Sequence, residues 1–169
     1  TKRELQTAIY YKIGSLFETQ QESRQRLYFS ERYPDMSAWD TSLIIDMSSL
    51  FKDMNDFNED ISNWDTSNVV NMEGMFSNAS SFNQPIGNWN TSKVKNMKEM
   101  FDNAEEFNQP IGNWDTSNVT NMESMFSNAS NFNQPIGNWD VSNVKKIDYI
   151  FYHATNFNQD LSNWNLRNV

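Results

Sequence analysis

The stretch W-D-T-S-N-V-V-N-M-E-G-M-F-S-N-A-S-S-F-N-Q-P-I-G-N, residues 64–88, decides the fold because it recurs along the chain. The period is 25 residues without insertion or deletion, and it places the six tryptophans at equivalent positions: Trp39, Trp64, Trp89, Trp114, Trp139 and Trp164. A fixed period of this length is typical of a solenoid, in which each unit buries its apolar side only by stacking on its neighbours. We therefore expect a solenoid over 35–169, with five full repeats starting at the first five tryptophans and a partial sixth.

Each repeat divides into a predicted strand, a predicted helix and a return segment. The segment around I-G-N-W-D-T-S reads as a strand, with Trp and Thr pointing to one side and Asp or Asn to the other. A stripe of apolar residues at offsets 0, 3, 6, 7 and 10 then predicts a short helix: Val94, Met97, Met100, Phe101 and Ala104. Alternating strands and helices predict an α/β repeat whose short strands stack in parallel.

The return segment, F-N-Q-P-I-G-N, carries turn residues at fixed positions. Its proline restricts the backbone, and its glycine (Gly87, Gly112 or Gly137) is expected to permit a tight bend. Asparagines at one position in successive repeats should stack and satisfy backbone groups of the turns: Asn83, Asn108, Asn133 and Asn158.

Residues 1–34 do not follow the repeat and are expected to form a helical amino-terminal cap. Residues 1–17 open with a possible capping box of Thr1 and Glu4 and have the periodicity of an amphipathic helix. Leu43 and Ile45 are apolar at positions where later repeats carry mostly polar residues. We expect the cap to pack over these two side chains.

The consensus N-W-D-T-S-N-V-x-N-M-x-x-M-F-x-N-A-x-x-F-N-Q-P-I, spanning about 35–169, closely resembles the BspA-like leucine-rich repeats of surface proteins. The resemblance implies a right-handed solenoid of the leucine-rich-repeat type. It also implies a cell-surface or extracellular location and a role in adhesion or recognition of a protein or glycan on another surface. It names no ligand, since the family is defined by buried positions.

Composition and charge argue against several classes of partner. The chain has a net charge of -9, 37% hydrophobic residues and no cysteine. Residues 39–169 carry seven Lys and Arg against seventeen Asp and Glu, which disfavours nucleic acid and anionic lipid because both bind clustered positive charge. No apolar run is long enough to insert into a membrane.

The first candidate site is a column of polar side chains on the predicted strand face: Asp40, Asp65, Asn90, Asp115 and Asp140. They are suited to binding sugar hydroxyls, a protein or, less readily, a cation such as calcium, which needs six or more converging oxygens. The alternative, which we favour about two to one, is that they cap the following turn by accepting backbone N–H bonds.

The second candidate site lies in the last full repeat, where Tyr149, Tyr152 and His153 replace small polar residues. On a helix these side chains would cluster on the solvent face. They would either pack against a carboxy-terminal cap or contact a partner, which includes self-association through this end of the solenoid.

Enzyme chemistry has no evident basis in the sequence. There is one histidine, and acids that recur at every period are better explained by architecture than by acid–base catalysis. We therefore expect no catalytic residue, no metal site and no cofactor.

The leading hypothesis is a non-enzymatic adhesion or recognition module, and the alternative is a structural or assembly unit of a larger surface or virion protein. A weaker possibility is an ice- or mineral-binding array of threonines: Thr41, Thr66, Thr91 and Thr116. On a strand, residues two apart lie on the same face, so these threonines would lie beside the buried tryptophans rather than at the surface.

Overall fold

A computed structural model describes residues 3–4 and 35–169 of the chain. The predicted amino-terminal helices therefore lie outside the described residues, apart from Arg3 and Glu4. The repeat begins with a single turn of 3-10 helix, η1 (Met36–Ala38), in which Asp35 caps the Ser37 N–H. Five coils follow, which we number from the tryptophans: coil 1 (39–63), coil 2 (64–88), coil 3 (89–113), coil 4 (114–138) and coil 5 (139–163), with 164–169 opening a sixth.

Backbone hydrogen bonds join coils 1–4 each to the next. Four alternate N–H groups in the middle of the coil donate to four alternate carbonyls of the following coil. In coil 3 the donors are Met97, Glu99, Phe101 and Asn103, and the acceptors in coil 4 are Asn121, Glu123, Met125 and Ser127, at 2.8–2.9 Å. The stack of coils is therefore held by bonds that run along its axis.

The helices predicted within the repeats are wrong. The segment 97–107 is a series of turns closed by bonds from residue i to i−3, such as Met100 to Met97 and Ala104 to Phe101. Two residues of the segment, Glu99 and Asn103, have positive φ values of 54° and 57°, which a right-handed helix does not allow. These four-residue turns bury the same apolar stripe that suggested a helix: Val94, Met97, Met100, Phe101 and Ala104.

The predicted stacked strands are also wrong. Among the described residues the only β-pairing consists of isolated parallel bridges at one position per coil: Asp46, Asn71, Asn96, Asn121 and Lys146. The segment read as a strand is joined to neighbouring coils by side chains instead. The Trp89 indole N–H donates to Ile61 O at 3.2 Å, and the Thr91 hydroxyl donates to Asp115 O at 2.9 Å. The α/β solenoid of the leucine-rich-repeat type is therefore replaced by a stack of turn-built coils.

The core consists of columns of identical side chains that run through the stack. Phe101 lies 5.5 Å from Phe76 and 5.6 Å from Phe126, ring centre to ring centre, with nearly parallel planes. Within a coil, Phe101 also stacks on Phe107 at 4.0 Å. The tryptophans of coils 2–5 are 3–4% exposed, and the threonines two residues later are buried in coils 1–4. The prediction that Trp and Thr point inward while Asp points outward is confirmed.

The return segments stack through the asparagine column, as predicted. Asn83 Oδ1 accepts the Asn108 N–H at 3.0 Å and the Gln109 side-chain amide at 2.9 Å. The same pair of bonds recurs at Asn58, Asn108 and Asn133. Each asparagine thereby sets the register of the next coil.

The regular spacing of glycines in the return has a different cause from the one expected. Gly87, Gly112 and Gly137 have none of the positive φ values that mark a glycine-specific bend. A Cβ on Gly112 would lie 2.5 Å from the carbonyl oxygen of Pro135 in the next coil. These glycines are therefore required by the close approach of adjacent coils.

Candidate functional site

The polar column predicted as a ligand surface is exposed, and its side chains cap turns. Asp115 Oδ1 accepts the Ser117 N–H at 3.0 Å and the Ser117 hydroxyl at 2.6 Å. Asn90 makes the same pair of bonds to Ser92 at 3.1 and 2.7 Å. The backbone bond is also present in the other coils, at Asp40, Asp65 and Asp140. The structural alternative for this column is therefore observed in every coil.

The serine bonds also hold these carboxylates in the ionised form. The hydroxyl of Ser117, followed by its backbone N–H, lowers the pKa of Asp115 below its ordinary value. The same causes lower the pKa of Asp40, Asp65 and Asp140. No group of three His, Cys, Asp or Glu residues within the described ranges is placed to hold a metal ion.

Tyr149, Tyr152 and His153 come together on the surface of coil 5, and we call them the aromatic cluster. Tyr149 and Tyr152 are 69% and 53% exposed, and their rings meet edge to face at 5.9 Å and 83°. The Tyr152 and His153 rings meet at 4.0 Å and 65°. The sequence predicted this grouping on a helix, whereas the structure builds it on turns.

The backbone beneath the aromatic cluster is unusual for such large side chains. Tyr149 and His153 have φ values of 57° and 55°, in the left-handed region that disfavours residues with a bulky Cβ substituent. Coil 4 places Ser124 and Asn128 at the equivalent positions with φ 54° at both. The positive φ at these two positions is a property of every coil, and only coil 5 places aromatic side chains there.

The last coil also presents a half-buried apolar surface, which sequence reasoning missed. Of the eight partly buried hydrophobic residues packed against the core among the described residues, five lie in coil 5 and a sixth, Trp164, directly follows it: Ile147, Ile150, Phe151, Phe157, Leu161 and Trp164. Their equivalents in coil 4 and at Trp139 are 0–3% exposed. We call this surface, without Trp164, the coil-5 end.

A second apolar strip lies at the opposite end of the stack. Leu43 is 86% exposed and Ile45 is 65% exposed; the segment expected to cover them belongs to 1–34 and lies outside the described residues except for 3–4. Val70, at the position equivalent to Ile45, is 37% exposed and donates its N–H to Ile45 O at 2.8 Å.

The lysines of coil 3 are balanced by neighbouring acids and polar groups. Lys98 lies 3.3 Å from Glu99 and 3.6 Å from Glu123, and these acids, Glu99 first, raise its pKa. Lys93 donates to Asn68 Oδ1 at 2.7 Å. No helix in the described part of the chain combines the length and apolar character needed to cross a bilayer.

Taken together, these features define a tandem-repeat protein whose 25-residue coils are built from turns and stack through backbone, asparagine and aromatic columns. The chain belongs to the family described as "Mycoplasma protein of unknown function, DUF285", which matches residues 17–118 and 88–169. No curated protein and no solved structure matches the chain.

Proposed function

We propose that the chain is a non-enzymatic recognition module of the BspA-like type, acting at a cell surface and binding a protein or glycan through the aromatic cluster. The observation that supports this proposal is the exposure of Tyr149 and Tyr152 beside His153, on backbone that the other coils give to small or polar residues. The surface location follows from the resemblance of the repeat.

Aromatic side chains of this kind are effective binding elements. Tyrosine offers a large apolar ring with few rotatable bonds and a hydroxyl at its tip, so it adds contact area at low entropic cost. The edge-to-face contact between Tyr149 and Tyr152 restricts both rings further. Such a rigid ridge fits either the face of a sugar ring or an apolar pocket on a protein.

The left-handed backbone at His153 is shared by all coils, because the equivalent residues also have positive φ: Asp53, Asn78, Asn103 and Asn128. Aspartate, asparagine and histidine all tolerate that region better than most residues. What distinguishes coil 5 is therefore the imidazole ring itself, which lies against Tyr152.

The polar column is a weaker candidate than the aromatic cluster. Its Oδ1 atoms are already engaged by the serine two residues later. A ligand that competed for those atoms would release the turn that they cap, which opposes binding.

The test compares two matched variants on glycan and protein arrays. The coil-4 variant (Tyr149→Ser, Tyr152→Ser, His153→Asn) gives coil 5 the residues that coil 4 carries at these positions, so it removes the aromatic surface while suiting the backbone. The amide variant (Asp65→Asn, Asp115→Asn) removes charge from the column and keeps its turn-capping oxygen, as Asn90 does.

The proposal predicts a specific array signal that the coil-4 variant loses and the amide variant keeps. The reverse pattern, with the signal lost only in the amide variant, would move the site to the polar column. A wild-type protein that gives no specific signal on either array would contradict recognition of a protein or glycan by this module.

A further inference from the structure

We propose that one lateral face of the stack binds an extended polypeptide segment that is apolar at one end and acidic at the other. The face is formed at two positions of the repeat, four and six residues after each tryptophan. We call it the lateral strip, and its apolar and basic members are Leu43, Ile45, Val70, Lys93, Lys95 and Lys145. The aromatic cluster lies at other positions of the repeat, so the inference does not depend on the proposed function.

The lateral strip faces solvent in coils that have a neighbour on both sides. In coil 3, which lies between coils 2 and 4, Lys93 and Lys95 are exposed, although Val94 between them in the sequence is fully buried. Leu43 and Ile45 occupy the same two positions in coil 1 and are 86% and 65% exposed. Their exposure is therefore a property of these positions and not of the end of the stack.

Backbone hydrogen bonds hold one row of the lateral strip in line. The Val70 N–H donates to Ile45 O at 2.8 Å, and the Lys95 N–H donates to Val70 O at 2.9 Å. Two more bonds of 2.9 Å continue the row through Thr120 to Lys145. At the ~4.8 Å spacing of paired extended segments, the four intervals of the row span roughly 20 Å, which an extended peptide of about six residues would cover.

The chemistry of the lateral strip changes from apolar to basic along the stack. Leu43, Ile45 and Val70 are apolar in coils 1 and 2, whereas Lys95 and Lys145 are basic in coils 3 and 5. None of the ten residues at the two positions in coils 1–5 is acidic, although residues 39–169 carry seventeen Asp and Glu against seven Lys and Arg. Three of those seven basic residues lie on this one face.

The lysines of the lateral strip are not neutralised by acids of the same chain. Within residues 35–169 the ion pairs involve Lys98 alone, and Lys98 is not part of the strip. Lys93 donates to Asn68 Oδ1 at 2.7 Å, so a neutral amide holds it in place and its charge remains. Ion pairs of exposed lysines are individually weak, so burial of the apolar members has to supply part of the affinity.

A polypeptide fits this combination better than a polyanion does. Leu43, Ile45 and Val70 gain by burying apolar surface, which the phosphates of nucleic acid and the sulfates of a glycan do not offer. Bonds from Ser67 lower the pKa of Asp65, and the charge of Lys93 adds to this effect, so the acidic polar column lies close to the strip. A ligand with negative charge along its whole length would therefore meet repulsion from that column.

The experiment titrates the isotope-labelled whole chain with the end-blocked peptide L-S-L-S-E-S-E-S and follows the backbone amides by two-dimensional NMR. Alternation with serine places the leucines and glutamates on one side of an extended peptide. We expect saturable shifts at Val70, Lys95 and Lys145, and none at Asn83 and Asn108 of the return segments. The peptide L-S-L-S-K-S-K-S should give no shifts. Raising the salt from about 0.05 M to 0.5 M should weaken binding, because it screens the exposed lysines.

Two pairs of substitutions test the two parts of the lateral strip. Lys95→Glu with Lys145→Glu should weaken binding by about tenfold or more, since attraction becomes repulsion at two positions. Leu43→Ser with Ile45→Ser should weaken binding by about tenfold through the loss of two apolar contacts. All four side chains are exposed, so both variants should keep the wild-type melting temperature. Lys52→Glu, an exposed lysine outside the strip, is the matched control and should bind as the wild type does.

The coil-4 variant separates this inference from the proposed function, because it should bind the peptide normally even though it loses the array signal. Absence of shifts at the lateral strip, equal binding of the lysine peptide, or equal binding by both pairs of variants would overturn the inference. Heparin or polyphosphate that shifted the same amides more strongly than the peptide would overturn it in favour of a polyanion site. Shifts at the strip that depend on protein concentration without peptide would overturn it in favour of a second copy of the chain.

Discussion

Replacing Gly112 by alanine tests the packing distance between coils. The added Cβ would lie 2.5 Å from Pro135 O and 3.7 Å from Pro135 C, and a backbone carbonyl held in the return segment cannot move away as a flexible side chain could. Overpacking of this kind costs about 1–3 kcal/mol. Changing glycine to alanine also lowers the entropy of the unfolded chain, which stabilises the folded state by about 0.4–1 kcal/mol. We therefore expect a net destabilisation of about 1–2 kcal/mol.

The sign of this effect separates two explanations of the glycine. If Gly112 served only to bend the chain, its ordinary φ would let alanine fit, and the variant would be as stable as the wild type or slightly more stable. Urea unfolding followed by tryptophan fluorescence measures the difference. Gly74→Ser is the comparison for backbone strain without overpacking: the nearest atom outside the neighbouring residues is 3.6 Å from its added Cβ, but its φ of 58° disfavours any side chain and should cost about 1–2 kcal/mol. A Gly112→Ala chain at least as stable as the wild type would refute the close-approach argument.

Three further predictions concern the core, the polar column and the aromatic cluster. Phe101→Ala should lower the free energy of unfolding by about 3–5 kcal/mol, and Phe157→Ala by clearly less because its ring is only half-buried. If urea unfolding gave the same decrease for both variants, stacking of the rings on both faces would not be what stabilises the core. Hydrogen bonds from serine lower the pKa of Asp65 and Asp115 in the folded state. The ionised carboxylates therefore stabilise the fold above pH 3.8, their ordinary pKa, and this stabilisation is lost as the pH falls through the lower pKa of the folded state. The melting temperature of the wild type should therefore fall more steeply below about pH 4 than that of the amide variant. If the melting temperatures of the two proteins change in parallel with pH, the carboxylate charge does not stabilise the fold. The coil-4 variant should melt at about the same temperature as the wild type, since it gives the three exposed positions the residues that coil 4 carries on the same backbone. A marked fall in calorimetry would mean that the aromatic cluster supports the fold.

The repeat alone predicts which side chains are buried, because period and apolar spacing follow from the sequence. Trp, Thr, Met and Phe lie inside at the positions expected, and the asparagines form the predicted column. The secondary structure was wrong for a physical reason. Apolar residues three and four apart suit a helix and a series of four-residue turns equally well. The positive φ at Glu99 carries no sequence signal, since its position holds Ser, Gly, Glu and Tyr in different coils.

The candidate sites were predictable to different degrees. The aromatic cluster is visible in the sequence because Tyr149, Tyr152 and His153 break the consensus, although its geometry depends on turns that the pattern does not reveal. The role of Gly112 was missed because close approach between coils is a tertiary property.

The central claim is that the Met and Phe segment of coils 1–4 is built from turns and that alternate N–H groups of this segment bond to the next coil. Scalar couplings across hydrogen bonds, measured by NMR on isotope-labelled protein, report this directly. We predict a coupling between the amide nitrogen of Phe101 and the carbonyl carbon of Met125, whose bond is 2.9 Å long. A coupling from Phe101 to Met97 within the same coil, as in an α-helix, would contradict the account.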